Sequence, residues 1–175
     1  MTANTPLRNS FPPIISNKAR ILILGSMPGV ASLEAQQYYA HPRNAFWPIM
    51  AELFSFDADT AYKERCEYLM DYGVAVWDVL KACSRPGSLD QHIAPDSMQS
   101  NNLAGMFASH SDIRTVFFNG GKAEQVFRRL ILPDLSDTEA LRLIRLPSTS
   151  PANASLSFQQ KLAAWRQIKD YLSVA

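Results

Sequence analysis

The chain has 175 residues, which is enough for one domain with a sizeable core and too few for two ordinary domains. Its apolar content of 47% excludes an intrinsically disordered protein, and its net charge of +1 means that any binding to nucleic acid must come from a local patch. The two cysteines and three histidines have no metal-ligand spacing, which favours a reducing compartment without a structural metal. No apolar run reaches the roughly 18 residues of a membrane span, and the polar N-terminal segment lacks a secretory pattern, so we expect a cytoplasmic protein.

Four short, nearly continuous apolar runs predict strands that are covered on both faces. They are residues 19–24, 73–77, 115–118 and 141–146. Between them, apolar residues recur at helical spacing. The predicted helices are residues 45–54, 60–72, 123–131 and 157–172. This alternation predicts an α/β sandwich with a mainly parallel sheet, in a single domain over residues 1–175.

Polar or turn-forming residues follow each predicted strand. In chain order they are Gly25-Ser26, Asp78, Asn119-Gly120 and Pro147-Ser148. The carboxyl ends of parallel strands lie along one edge of a sheet, so we expect these residues to converge there. The sequence therefore predicts a ligand site at that edge.

Two segments carry residues suited to holding a planar ring. Gly25-Ser-Met-Pro-Gly29 is a turn at the end of the first strand, and Pro42-Arg-Asn-Ala-Phe-Trp47 places a cation and a small amide beside two large aromatic residues. Hydrogen-bonding groups next to flat apolar surface favour a site for a heterocyclic ring. The alternative is a strand, a turn and a patch of aromatic core.

These segments and a third one resemble the uracil-DNA glycosylase superfamily. The three are Gly25-Ser-Met-Pro-Gly29, Tyr38-Tyr-Ala-His-Pro-Arg-Asn-Ala-Phe-Trp47 and Leu146-Pro-Ser-Thr-Ser-Pro151, in this order. The mismatch-specific branch has a Gly-x-Asn-Pro-Gly turn followed by Ala-His-Pro-x-Asn-x-Phe-Trp. The serine–methionine version of the turn, with two tyrosines before Ala40, is most similar to the hypoxanthine-DNA glycosylase branch.

The resemblance implies a fold and a reaction. The fold is a three-layer α/β/α sandwich with a central four-stranded sheet. The reaction is hydrolysis of the N-glycosidic bond of a flipped deaminated base, hypoxanthine or uracil, in DNA. The resemblance also implies base excision repair that needs no metal and no cofactor. A monomer is the simplest assumption for the oligomeric state.

Two residues are candidates for the catalytic step. Ser26 is taken to occupy the position of the mismatch branch's water-activating asparagine, so the usual catalyst is absent. Asn44 is the nearest amide that could position a water through its carbonyl oxygen. An oxocarbenium-like reaction needs water positioned more than deprotonated. The alternative is that Asn44 caps the following helix, a role for the same oxygen that is hard to combine with the first.

The base-binding candidates centre on Tyr39 and Asp78. The resemblance places Tyr39 where an aromatic ring stacks on the flipped base; otherwise it is a core tyrosine. It places Asp78 where an asparagine reads the edge of uracil. An aspartate accepts without donating, which suits the N1–H of hypoxanthine; otherwise Asp78 caps a short helix over residues 79–82. The other base-binding candidates are Gly25, Met27, Phe46 and Asn119.

The DNA-phosphate candidates come from the third segment and from two cations. Ser148 and Ser150 are suitable donors to phosphate, with Thr149 and Asn153 beside them, although an ordinary turn is the alternative. Arg43 and Lys122 are further candidates for phosphate contacts, and Lys122 follows a Gly-Gly turn that could bind phosphate at the start of a helix. No bulky wedge residue is present in the third segment.

The leading functional hypothesis is a monofunctional glycosylase that removes hypoxanthine from DNA. A mismatch-type uracil-DNA glycosylase is the enzymatic alternative. The third possibility is a relative of the fold that binds nucleic acid or a nucleotide without cleaving it.

Overall fold

Strands and α-helices alternate along residues 5–173, the part of the chain that this computed structural model describes. In chain order they are β1 (Leu7–Asn9), β2 (Ile21–Gly25), α1 (Val30–Ala35), α2 (Phe46–Phe54), α3 (Tyr62–Asp71), β3 (Val74–Asp78), β4 (Leu80–Ser84), β5 (Gln99–Ser100), α4 (Leu103–Ser109), β6 (Thr115–Asn119), α5 (Gly121–Leu130), β7 (Arg142–Leu146) and α6 (Phe158–Trp165). A 3-10 helix, Arg166–Tyr171, continues from α6.

The central sheet has four parallel strands in the order β3-β2-β6-β7. The register pairs Gly25 with Asp78 and Asn119 with Leu146, so the carboxyl ends of the strands are level. All four strands lie where the apolar runs predict them, and the parallel four-stranded sheet is confirmed. The level ends bring polar residues from distant parts of the sequence to one edge.

Apolar side chains cover both faces of this sheet. Ile21 and Ile23 pack on one face with α2, α3 and α6, while Leu22 and Leu24 pack on the other with α4 and α5. Successive side chains of a strand point to opposite faces, so a continuous apolar run is what two covered faces require. The three-layer α/β/α sandwich is thereby confirmed.

A second, antiparallel sheet joins β1, β4 and β5 and was not predicted. The alternative of a short helix over residues 79–82 is wrong, because the chain continues from Asp78 into β4. The amides of Val79 and Leu80 donate to the carbonyls of Gly25 and Ser26, at 2.8 and 3.1 Å, which holds the start of β4 against the end of β2. This pairing carries the chain past the carboxyl edge of the main sheet.

The helices follow their predicted positions with some differences in extent. The predicted helix over residues 157–172 is α for its first part and 3-10 for the rest. The helices α1 and α4 were not predicted, since six or seven residues give too little periodicity to recognise. None of the helices within residues 5–173 has the length and apolar character needed to cross a membrane.

Candidate active site

A cavity of about 480 Å³ lies at the carboxyl edge of the central sheet, within the size range of ligand pockets. Its lining includes the last residues of three strands, Gly25, Asp78 and Asn119. The segments that follow β2 and β7 and the loop after β4 complete the wall. The predicted convergence of polar strand ends is therefore present in the structure.

Asp78 lies at the base of the cavity and is 3% exposed. Its Oδ2 atom is buried and has no hydrogen-bond partner among the described residues. Burial raises the pKa of Asp78 to about 8, the nearby charge of Asp90 adds to the rise, and the positive charge of Arg85 opposes it. The direction of this shift favours a neutral carboxyl, which both donates and accepts, over the acceptor-only carboxylate expected from the sequence.

Gly25 is required at the end of β2 by the close approach of two side chains. A Cβ atom at this position would lie 2.5 Å from Asp78 Oδ1 and 3.0 Å from the Tyr39 hydroxyl oxygen. The three residues are therefore in close contact where they meet the cavity wall. Any side chain at position 25 would displace the Asp78 carboxyl and the Tyr39 hydroxyl.

Tyr39 and Phe46 form a stacked pair, with ring centroids 4.1 Å apart and an interplanar angle of 27°. Tyr39 lines the cavity, whereas Phe46 is fully buried in the core cluster and does not. The expectation that Phe46 contacts the base is corrected: Phe46 supports one face of Tyr39, and a planar ligand can stack only on the opposite face. The Tyr39 hydroxyl is buried beside the Asn119 side chain, whose influence lowers the pKa of Tyr39 against the larger rise from burial. Like Asp78 Oδ2, it forms no hydrogen bond of good geometry among residues 5–173.

The backbone of Tyr39 adopts a left-handed conformation, with φ of 55°. For a bulky aromatic residue this conformation is strained, and such strain is concentrated at functional sites. The neighbouring Tyr38 is 3% exposed and donates its hydroxyl hydrogen to the carbonyls of Phe11 and Pro12. Tyr38 is thus anchored in the core, and its neighbour Tyr39, with the strained backbone, lines the cavity.

Asn44 lies on the cavity wall two residues before α2, whose N-cap is Ala45, so the alternative of Asn44 as the helix cap is wrong. Its Oδ1 accepts a hydrogen bond from the amide of Phe46, the first residue of α2, at 2.9 Å. An amide oxygen has a second lone pair, so this bond leaves one acceptor site for a water. Asn44 and Ser26 line the same cavity, as the interpretation of the two motifs requires.

Ser26 hydrogen-bonds to a carboxylate that the sequence interpretation did not use. Its Oγ donates to Asp90 Oδ1 at 2.6 Å. The alignment of Ser26 with the asparagine of the Gly-x-Asn-Pro-Gly turn is also corrected, since the third residue of the turn is Met27. Met27 packs into the core cluster on the α4–α5 face and lines the cavity as an apolar group.

Arg85 lies behind Asp90 in the protein interior and forms a long ion pair with it. The guanidinium is 1% exposed, donates to the carbonyls of Pro28 and Gly87, and lies 3.6 Å from Asp90 Oδ1. Burial raises the pKa of Asp90, while the hydrogen bond from Ser26 and the charges of Arg85 and Lys122 oppose that rise. Arg85 and Asp90 stand at the two ends of a loop rich in turn-forming residues. The available sequence signal for their pairing was an arginine and an aspartate five positions apart across this loop.

The segment after β7, residues 147–153, forms one wall of the cavity and is pinned to β6 by Asn119. The side-chain amide of Asn119 donates to Thr149 Oγ1 and its oxygen accepts from the Thr149 backbone amide, both at 2.9 Å. Ser148, Ser150 and Asn153 also line the cavity. Asn119 therefore positions this segment. Because both ends of its side-chain amide are bonded to Thr149, a direct contact with the base is not its main role.

Both cations proposed for phosphate contacts lie outside the cavity. Arg43 is exposed, and Lys122 is half-buried in the first turn of α5. The structure does not bring either residue to the cavity wall with the other candidates. Within residues 5–173, no group of three or more histidine, cysteine, aspartate or glutamate side chains is arranged to hold a metal ion.

Known proteins match this chain over most of its length. A sequence model of the Uracil DNA glycosylase superfamily matches residues 12–169. A hypoxanthine DNA glycosylase of Methanosarcina acetivorans is 31% identical over 163 residues, which are 93% of this chain and 98% of the relative. A hypoxanthine DNA glycosylase of Methanosarcina barkeri is 35% identical over 117 residues, which are 66% of this chain and 73% of the relative.

The structural comparison agrees with the sequence comparisons. A solution NMR structure from Methanosarcina acetivorans, of a protein provisionally named a uracil DNA glycosylase, superposes with a TM-score of 0.79 at 30% identity. It covers 95% of this chain, and 99% of its own length is matched. With the family match, the fold and the cavity at the sheet edge in agreement, the chain belongs to the Uracil DNA glycosylase superfamily.

Proposed function

We propose that this protein is a monofunctional DNA glycosylase that hydrolyses the N-glycosidic bond of hypoxanthine in DNA, with uracil as a second substrate. The observation that carries the proposal is the pair of buried polar atoms at the base of the cavity, Asp78 Oδ2 and the Tyr39 hydroxyl, which have no partner among the described residues. Buried polar groups of this kind are costly unless a ligand satisfies them. The names of two relatives, both hypoxanthine DNA glycosylases, support the same substrate.

The polar pair is complementary to the edge of the base that deamination creates. Hypoxanthine presents an N1–H donor beside the O6 acceptor. A neutral Asp78 accepts from N1–H through one oxygen and donates to O6 through the other, while the Tyr39 hydroxyl supplies a further donor. Uracil presents the same arrangement at N3–H and O4, which is why it remains a second substrate.

The base is held by stacking and attacked from the Asn44 side of the cavity. A base flipped out of the helix stacks on the free face of Tyr39, a contact worth roughly 1–3 kcal/mol. Asn44 positions the attacking water through the lone pair that α2 does not use. Residues 147–153 contact the DNA backbone through Ser148, Ser150 and Asn153, and Arg43 and Lys122 contribute longer-range attraction. Thr149 is 1% exposed and bonded to Asn119, so it positions this segment and the expectation that it contacts DNA is corrected.

The same proposal assigns the protein to base excision repair. A glycosylase without lyase activity leaves an abasic site that other enzymes must process. We place the enzyme in the cytoplasm, where it meets its DNA substrate, and we propose that it acts as a monomer.

Excision is tested with a labelled duplex that contains one deoxyinosine. After incubation and hot alkali the strand breaks at that position, whereas without alkali it stays intact. An identical duplex with deoxyadenosine is the control and stays intact under both treatments. Duplexes with uracil and xanthine rank the substrates. If none of the modified bases is released, the proposed activity is wrong.

The role of Asn44 is tested by the substitution Asn44→Ala. We expect an excision rate at least about 100-fold lower, because water positioning is lost, with DNA affinity unchanged. The matched control is Asn102→Ala, which removes the side-chain cap of α4 outside the cavity and should cost a similar stability. Equal rates in the two variants would assign the catalytic role to another group.

A further inference from the structure

We propose that Asp90 is a second catalytic residue of the glycosylase reaction, the carboxylate that receives the proton of the attacking water. The inference rests on the proposed function and adds to it a group that neither the sequence motifs nor the relatives assign. It starts from the placement of Asp90 on the cavity wall beside Ser26, in the loop after β4.

The contacts of Asp90 leave one of its two oxygens available. Oδ1 accepts from Ser26 Oγ at 2.6 Å and faces the Arg85 guanidinium at 3.6 Å. Oδ2 takes part in none of the hydrogen bonds formed among residues 5–173 and is not enclosed by protein. A carboxylate oriented by two groups through one oxygen, with the other oxygen free beside a cavity, has the arrangement that a general base requires.

Arg85 places a fixed positive charge behind this arrangement. A guanidinium with 1% exposure cannot remain unpaired at low cost, and its donation to the carbonyls of Pro28 and Gly87 fixes it between the turn after β2 and the loop after β4. Its positive charge favours the ionised form of Asp90, as does Lys122. The motif residue Ser26 thus acts by orienting Asp90.

The step balances without an added reactant. The oxygen of the water forms a bond to C1′ of the sugar, and the C1′–N9 bond of hypoxanthine breaks with its electron pair leaving on the base. The water proton passes to Asp90 Oδ2 and then to solvent, and the departing base takes up a proton from solvent. Asn44 positions the water from its own side of the cavity, and Asp90 accepts the proton as the new bond completes.

The test uses Asp90→Ala and Asp90→Asn in single-turnover excision of deoxyinosine. General-base loss predicts rates about 10²–10⁴-fold lower in both variants, with affinity for the uncleaved duplex unchanged. Added sodium formate supplies a small carboxylate to the space left in Asp90→Ala and should raise its rate in proportion to formate concentration. The matched control, Asp96→Ala, changes an exposed carboxylate outside the cavity and should keep the wild-type rate with no response to formate.

The outcomes separate this inference from the proposed function. If the wild-type protein releases no deaminated base, the proposed function fails. If the wild-type protein is active and Asp90→Asn is equally active, Asp90 has no catalytic role. A folded Asp90→Ala variant that has lost activity and does not respond to formate would limit Asp90 to holding the loop, which overturns the inference.

Discussion

At the scale of single residues, the site depends on the close approach of the Asp78 carboxyl to the backbone of Gly25. Gly25 lets Asp78 and the Tyr39 hydroxyl approach the end of β2, and both side chains present unpartnered polar atoms, within the described residues, at that point. The edge of the cavity that recognises the base therefore depends on the missing side chain of Gly25 as much as on the side chains of Asp78 and Tyr39.

The substitution Gly25→Ala tests this contact. Its methyl group would lie 2.5 Å from Asp78 Oδ1, so the carboxyl must move and we expect excision to fall at least about tenfold, with a lower melting temperature. The double variant Gly25→Ala with Asp78→Ala removes the collision and should recover melting temperature without activity. If Gly25→Ala alone excises the base at the wild-type rate, the contact is not needed for activity.

The pH dependence of excision follows from the state of Asp78. Its pKa of about 8 means that the donor to O6 is lost above that pH, and the rate should fall up to tenfold per pH unit. The charged groups around Asp78 are Asp90 and Arg85, with Tyr39 beside it. In Asp78→Asn the amide donates and accepts at every pH, so its lower rate should stay level between pH 7 and 9. An alkaline fall in both proteins would assign the titration to another group.

At the scale of elements, the segment after β7 is held in place by the end of β6. Asn119 makes two hydrogen bonds to Thr149, whose carbonyl oxygen accepts from the amide of Ala45 just before α2. Three elements are thereby joined at one threonine. The consequence is that the cavity wall proposed to contact DNA is positioned by β6 and α2 together.

The substitution Asn119→Ala should loosen this wall. Loss of both bonds costs roughly 1–3 kcal/mol of stability, and the affinity for a deoxyinosine duplex should fall several-fold. Ser157→Ala is the matched control, because it removes the capping box of α6 at a similar cost in stability, away from the cavity. Equal DNA affinity in the two variants, measured by titration of a labelled duplex, would contradict the positioning role.

The elements also show what the sequence can and cannot predict. The four central strands were recognisable because a strand buried on both faces needs an unbroken apolar run. The strand β4 was missed because its partner β1 lies some seventy residues earlier, and because an aspartate before residues 79–82 resembles a helix cap. Asn44, Ser26 and Tyr39 were found from motifs, whereas the pairing of Asp90 with Ser26 depends on loop closure that no local pattern encodes.

At the scale of the whole molecule, two core clusters enclose the sheet, while its carboxyl edge holds the buried Asp78 and the partly exposed Asp90. Asp78 and Asp90 both have raised pKa values, chiefly through burial. An acid that binds its proton more tightly in the folded state than in the unfolded state stabilises the fold at low pH. The free energy of unfolding then decreases as pH rises. The folded protein is thus expected to lose stability between the ordinary aspartate pKa of about 4 and a pH of about 8.

Thermal unfolding across this range tests the expectation. One proton accounts for at most about 1.4 kcal/mol per pH unit, or a few degrees in melting temperature for a chain of this size. The melting temperature of Asp78→Asn should therefore rise relative to the wild type as pH goes from 5 to 8. Asp96→Asn, an exposed change, should run parallel to the wild type. A parallel course for Asp78→Asn would show that its carboxyl is ionised throughout.

The backbone of Tyr39 has a consequence for laboratory evolution of this enzyme. Its left-handed conformation costs roughly 1–3 kcal/mol in a tyrosine, and glycine or asparagine would adopt the same conformation with less strain. A library selected for heat resistance alone should therefore enrich glycine and asparagine at position 39 and discard the ring that faces the cavity. The thermostable variants from such a selection would then be inactive, unless each round of selection also requires excision of the base.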